Sequence, residues 1–241
     1  MKDQRDFWSL LRVVSPPADR KVQRLEDLHK MPVSDADTPE ENLVLMISKL
    51  IYMAETLPIC IKTGDETAID SCRTLSDEIR RHERLATSGL VEQASVMGKY
   101  IFKIVARFPG LMERISIMLS NILDSSLIKA ASEIQFSKEA QEEISQICRV
   151  TADMLRNLRD TLVIPNKFVL GQIKFDGPKL EHLVEEARLA NWERMEHRVC
   201  TAYGASVYVE ILDSFKNVNE YISRMSESFL ELARLESESK D

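Results

Sequence analysis

Apolar residues recur at three- and four-residue steps through most of the chain, the period of a helix face rather than the alternation of a strand. The first long run is Leu43, Met46, Ile47, Leu50, Ala54, Leu57 and Ile61. Its start is marked by Thr38 as N-cap, Pro39 at the first helical position and Glu41 completing a capping box. Pro58 interrupts the run, but the spacing continues to Ile61, so a kink near Thr56–Pro58 is predicted rather than a stop. Gly64 and Asp65 then supply a terminating glycine and the next N-cap.

A second helix is predicted over about 66–87, with Ile69, Cys72, Leu75 and Ile79 inward, and Ser88-Gly89 reads as a turn. A third carries Val91, Ala94, Met97, Ile101, Ile104, Val105 and Phe108. It is expected to bend or split at Pro109-Gly110, then resume through Met112, Ile115, Leu119 and Ile122. Ser137 and Glu139 open a fourth, whose stripe includes Ile144, Ile147, Cys148, Thr151, Leu155, Leu158 and Leu162. Pro165 to Pro178 reads as an apolar connection containing Phe168, Val169, Ile173 and Phe175, expected to pack down or contact a partner. The fifth and sixth helices are predicted over about 179–201 and 205–235.

Three helices followed by three more give the predicted fold: all-α, two antiparallel three-helix bundles related by a pseudo-twofold, over 38–130 and 137–238. Faint internal similarity supports the repeat, HERL at 82–85 against WERM at 192–195 and LMERIS at 111–116 against VNEYIS at 218–223. Residues 1–37 form a separate N-terminal arm. Its Phe7, Trp8, Leu11 and Val14 fall on one side of a short helix closed by Pro16-Pro17. It is read as packing locally or staying partly disordered; the sharper alternative is docking on a partner or a membrane surface.

Seven glycines and eight prolines in 241 residues agree with long helices. A net charge of −7 leaves no basic face for phosphate-backbone contacts, so nucleic acid is excluded as the expected partner. The densest basic cluster, Arg80, Arg81 and Arg84, is answered by Asp77, Glu78 and Glu83. No stretch approaches about 18 consecutive apolar residues, so no membrane span is predicted, and the opening is too polar for a secretory signal. Cys60, Cys72, Cys148 and Cys200 are widely spaced without a CxxC, which predicts free thiols in a cytoplasmic protein, although Cys60 and Cys72 flank a hairpin and could meet.

Catalytic signatures are lacking. There is no phosphate-cradling glycine loop, and the single Glu-x-x-His spacing, Glu26 to His29, lies in the arm. Glu78/His82 and Glu193/His197 read as helix-surface pairs. Trp192, Tyr203, Tyr208 and Tyr221 read as core or bundle-edge packing, with an exposed contact surface as the alternative. No catalytic residue, cofactor or enzymatic activity is expected.

One pattern on the third helix of each set resembles a known family. The PhoU-related proteins carry LERIGDxxxNI there. Residues 112–122 read MERISIMLSNI, and 219–229 read NEYISRMSESF. The resemblance covers about 38–236, and the segment around DTPEENLVLMISKL resembles the cytosolic PhoU-like domain of bacterial sodium/phosphate cotransporters. It implies a regulator or adaptor of phosphate transport or phosphate signalling that acts by protein–protein contact. The implied partner is a membrane phosphate transporter or signalling protein, met in the cytoplasm or at the inner face of the membrane; a homodimer is a further candidate. It marks Glu113, Asn121 and Glu220 as the signature face, and Phe7, Trp8, Leu11, Phe168 and Phe175 are the docking candidates. Metal-binding family members use ExxxD, whereas Ile117 and Arg224 hold the aspartate positions here, so no metal is expected. Two alternatives stay open: a metal-binding helical bundle, for storage or catalysis, and a dimerisation scaffold unrelated to phosphate.

Overall fold

A computed structural model of the chain describes residues 36–163 and 167–238. The docking candidates Phe7, Trp8 and Leu11 lie outside the described residues. Those described form seven helices: α1 (Pro39–Thr63), α2 (Glu66–Met97), α3 (Lys99–Val105), α4 (Phe108–Ala131), α5 (Lys138–Val163), α6 (Lys167–Glu196) and α7 (Ala202–Glu238).

α1 begins as its sequence dictates. The Thr38 hydroxyl accepts the Glu41 N–H at 3.2 Å, while the Glu41 carboxylate reaches back to the Asp37 N–H at 3.0 Å. The helix continues through Pro58 and ends at Gly64, whose φ of 65° lets its N–H bond the Cys60 carbonyl. From Asn42 to Ile51 every residue is buried. α1 is long and apolar enough to cross a membrane, but most of it is covered by α2, α4 and α5, as a core helix is.

α1, α2 and α4 make one bundle, with α3 as a short link, and α5, α6 and α7 make the other. The bundles join through α1 on α5 and α4 on α7, so first helix meets first and third meets third. α1 and α5 are antiparallel: Glu55 pairs with Arg156, while the α1 end around Lys62 lies beside Gln141 and Ser145. One continuous apolar core runs through both bundles. Phe108 and Phe229, with ring centroids 4.6 Å apart, stitch α4 to α7.

Several boundaries differ from the sequence reading. Ser88-Gly89 is not a turn; α2 runs on to Met97 and breaks at Gly98, where φ is 81°. Gly89 serves packing instead, since a Cβ there would lie 2.6 Å from the Pro39 ring. The next break falls at Ala106-Arg107, and Pro109 sits at the start of α4, where proline is tolerated, rather than bending its middle. Residues 167–178 are helical rather than a connection: α6 runs from Lys167 through Gly177 and Pro178 to Glu196. Its inward stripe of Leu170, Ile173, Gly177, Leu180, Val184 and Ala187 is buried, and the Gly177 carbonyl gains a second donor from Asn219 of α7 at 2.9 Å. Burial of that stripe outweighs the cost of one interior proline, which is about 3 kcal/mol. α7 starts at Ala202, three residues earlier than predicted, with Thr201 accepting the Gly204 N–H at 3.0 Å.

Candidate functional site

The signature residues lie on α4 and α7, the two helices that join the bundles. Glu113 is half-buried on α4 and faces Arg80 of α2, whose Nε is 3.5 Å from its carboxylate. Glu220 is exposed on α7 and pairs with Arg224, one turn along the same helix. Asn121 is exposed two turns beyond Glu113. Each carboxylate is thus answered by its own guanidinium. Among the described residues, no three His, Cys, Asp or Glu side chains converge to hold a metal. Ile117 and Arg224 stand one turn after the glutamates; the isoleucine offers no lone pair, and the arginine brings positive charge where a cation would need a ligand.

The neighbours of the two glutamates also touch across the junction. The Arg114 guanidinium lies 5.9 Å from the centroid of the Tyr221 ring, joining α4 to α7 by a cation–π contact. Beside it a depression of about 690 Å³ opens between α2, the start of α4 and the second half of α7. Arg107, Arg114 and Arg224 line it together with Glu83, Glu227 and Glu231, and Tyr100 donates to Glu231 at 2.5 Å. The charges balance, which suits polar protein contacts better than a concentrated anion or cation site.

The docking candidates on α6 are helical and outward. Phe168 is 82% exposed and Phe175 69%. Trp192 and Tyr203 are exposed as well, whereas Tyr208 is buried, so core packing holds for only part of that aromatic set. Burial and the Glu143 hydrogen bond push the Tyr208 hydroxyl pKa up, while Glu143 also receives two bonds from Arg194 at 2.8 and 2.9 Å.

Sequence reading missed a polar cluster between α1 and α2. His82, expected on the surface beside Glu78, is fully buried; its Nδ1 meets Asn42 Oδ1 at 2.8 Å, and Glu78 instead binds Lys49 at 2.6 Å. His82 sits three residues after Ile79 on the buried stripe, which was the available signal. Cys60 and Cys72 do meet, as hydrogen-bonded free thiols in the core.

No family model and no curated protein sequence matches the chain. Solved structures do match. The crystal structure of PhoU from Pseudomonas aeruginosa superposes with a TM-score of 0.72 at 12% identity, covering 90% of this chain and 98% of that one. That of the phosphate transport system regulatory protein PhoU from Streptococcus pneumoniae gives 0.70 at 10%, covering 88% and 96%. The chain has the PhoU fold. Both PhoU structures are covered almost end to end, so the fold extends over both bundles and their junction. At this low identity the match defines architecture, and the altered residues at 117 and 224 are this chain's own.

Proposed function

We propose that this protein is a regulator or adaptor in phosphate transport or phosphate signalling that works by surface contact. Its partner would be a membrane phosphate transporter, with the sodium/phosphate cotransporters as the specific class, or a cytoplasmic signalling protein meeting one at the inner face of the membrane. The observation that carries this reading is the combination of the PhoU fold with signature carboxylates occupied by arginines, Glu113 by Arg80 and Glu220 by Arg224. Each of these glutamates has an arginine beside it, so the positive charge it meets comes from a side chain. Regulation through such a rigid helical face requires only that it bind one state of the partner better than another.

The test is deletion of the gene, followed by phosphate uptake and a phosphate-starvation reporter under limiting and replete phosphate. Altered uptake or reporter response, restored by the wild-type gene, is expected. Unchanged uptake and reporter in both media overturn the proposal.

A further inference from the structure

A cavity of about 520 Å³ opens at the opposite end of α7 from the junction depression. It lies where the α4–α5 connection (132–137) and the α6–α7 connection (197–201) meet the first turns of α7. Small residues bring the two connections together. Gly204 is pressed against the α4–α5 connection, since a Cβ there would lie 3.2 Å from the Ile134 side chain and 3.2 Å from Thr201. Phe136 and Tyr208 meet edge to face with ring centroids 5.3 Å apart, and both line the cavity. Val199 and Tyr203 line it from the exposed side.

α6 contributes two polar side chains. Arg194 gives both terminal nitrogens to Glu143, at 2.8 and 2.9 Å, so its charge is already met. Asn191 is only 5% exposed. Its Nδ2 donates to the Ala205 carbonyl at 3.2 Å, which fixes the orientation of the amide, and its Oδ1 has no partner among the described residues. An acceptor withdrawn from bulk water and left unbonded is costly, so it marks where a donor belongs. An apolar cavity with one such group has the character of a small-molecule site.

Charge narrows the ligand. Lys129 stands over the Phe136 ring at 5.5 Å but does not line the cavity, whereas Glu133 does. A phosphate or carboxylate would find no unpaired cation on these walls and would meet Glu133. A flat, neutral body with an N–H edge fits instead. An asparagine amide offers an acceptor and an N–H side by side, the pattern that matches an adenine edge.

We propose that this cavity binds a neutral heterocycle bearing an N–H donor, of the class of a purine base or nucleoside, with Asn191 as its hydrogen-bonding anchor and Tyr203 as its exposed aromatic wall. The chain's net charge of −7 turns nucleic acid away, so the free nucleoside is the form that enters. The site shares no residue with Glu113, Asn121 and Glu220, and it stands apart from the regulatory role proposed above.

Cys200 lines the same cavity and, unlike the other three thiols, is not buried, so its reaction with a chromogenic disulfide reports occupancy. In the full chain, adenosine should slow that reaction in a saturable way, and calorimetry should return the same half-saturation concentration. Purine riboside lacks the amino group and should bind the unaltered protein about tenfold more weakly. AMP should also bind more weakly than adenosine. Tyr203→Ala should weaken adenosine binding by about fivefold or more. Its ring is exposed, so circular dichroism and the melting midpoint should not move. Absence of saturable protection up to millimolar adenosine overturns the proposal. So does equal binding of adenosine and purine riboside, tighter binding of AMP than of adenosine, or binding that Tyr203→Ala leaves intact.

Discussion

His82 Nδ1 lies 2.8 Å from Asn42 Oδ1, tying the middle of α2 to the first turn of α1 in a fully buried contact. The amide orientation follows from the other end of Asn42, whose Nδ2 donates to the Thr38 carbonyl at 2.8 Å. His82 must therefore donate from Nδ1, leaving Nε2 as a lone pair with no protein partner. Burial, then the nearby positive charge of Lys49, lowers its pKa to about 4. In the unfolded chain His82 takes a proton near pH 6.5, so between pH 6.5 and 4 the unfolded state binds more protons. Stability should be highest above pH 6.5 and fall through that window, by up to roughly 3 kcal/mol. Urea titrations across that pH range check this, and His82→Gln should flatten the dependence.

Gly89→Ala should destabilise the protein although it replaces a helix-interior glycine. Helix propensity alone favours alanine by about 1 kcal/mol. The added methyl would meet the rigid Pro39 ring at 2.6 Å and push α1 from α2. A net loss of about 1–2 kcal/mol is expected by denaturant unfolding, whereas a gain would mean that the helices separate freely.

Three of the four thiols should be silent in the native state. Cys60, Cys72 and Cys148 are buried. The interaction with Cys60, then burial, raises the pKa of Cys72, and burial raises that of Cys148. The interaction with Cys72 lowers that of Cys60, whose silence rests on its complete burial from reagents. Titration with a chromogenic disulfide should find one fast thiol per chain, lost in Cys200→Ser, and the other three only on unfolding.

Glu143→Ala should cost roughly 3–5 kcal/mol, because it strands the Arg194 guanidinium and the buried Tyr208 hydroxyl together. A drop in the thermal midpoint reads this out. Tyr208→Phe should cost far less, since it removes a hydroxyl without leaving a charge unpaired.

The fold was legible where periodicity and chain punctuation agreed. Thr38, Pro39, Gly64 and Asp65 fixed the bounds of α1, and its spacing gave its inward residues. Errors arose where one residue type serves two ends. Gly89 looked like a turn because glycine breaks helices, but its role is a close helix–helix approach that depends on residue 39. α6 was divided because Gly171, Gly177 and Pro178 are helix breakers and its apolar residues lie on both faces, which blurs the periodic signal. Its helicity is set by packing on α5 and α7, which no local window contains. At the candidate site the sequence located Glu113, Asn121 and Glu220, but not the Arg80 partner from another helix.

The burial of α1 residues 42–51 on every side has a consequence for how the chain is made. Its covering requires α5, which ends at Val163, 100 residues after α1 ends at Thr63. At roughly 5–20 residues per second, that segment is without its final neighbour for about 5–20 s after it leaves the ribosome. The newly made first half therefore presents a sticky surface for that interval, and chaperone demand should peak in this window and end when the second bundle emerges.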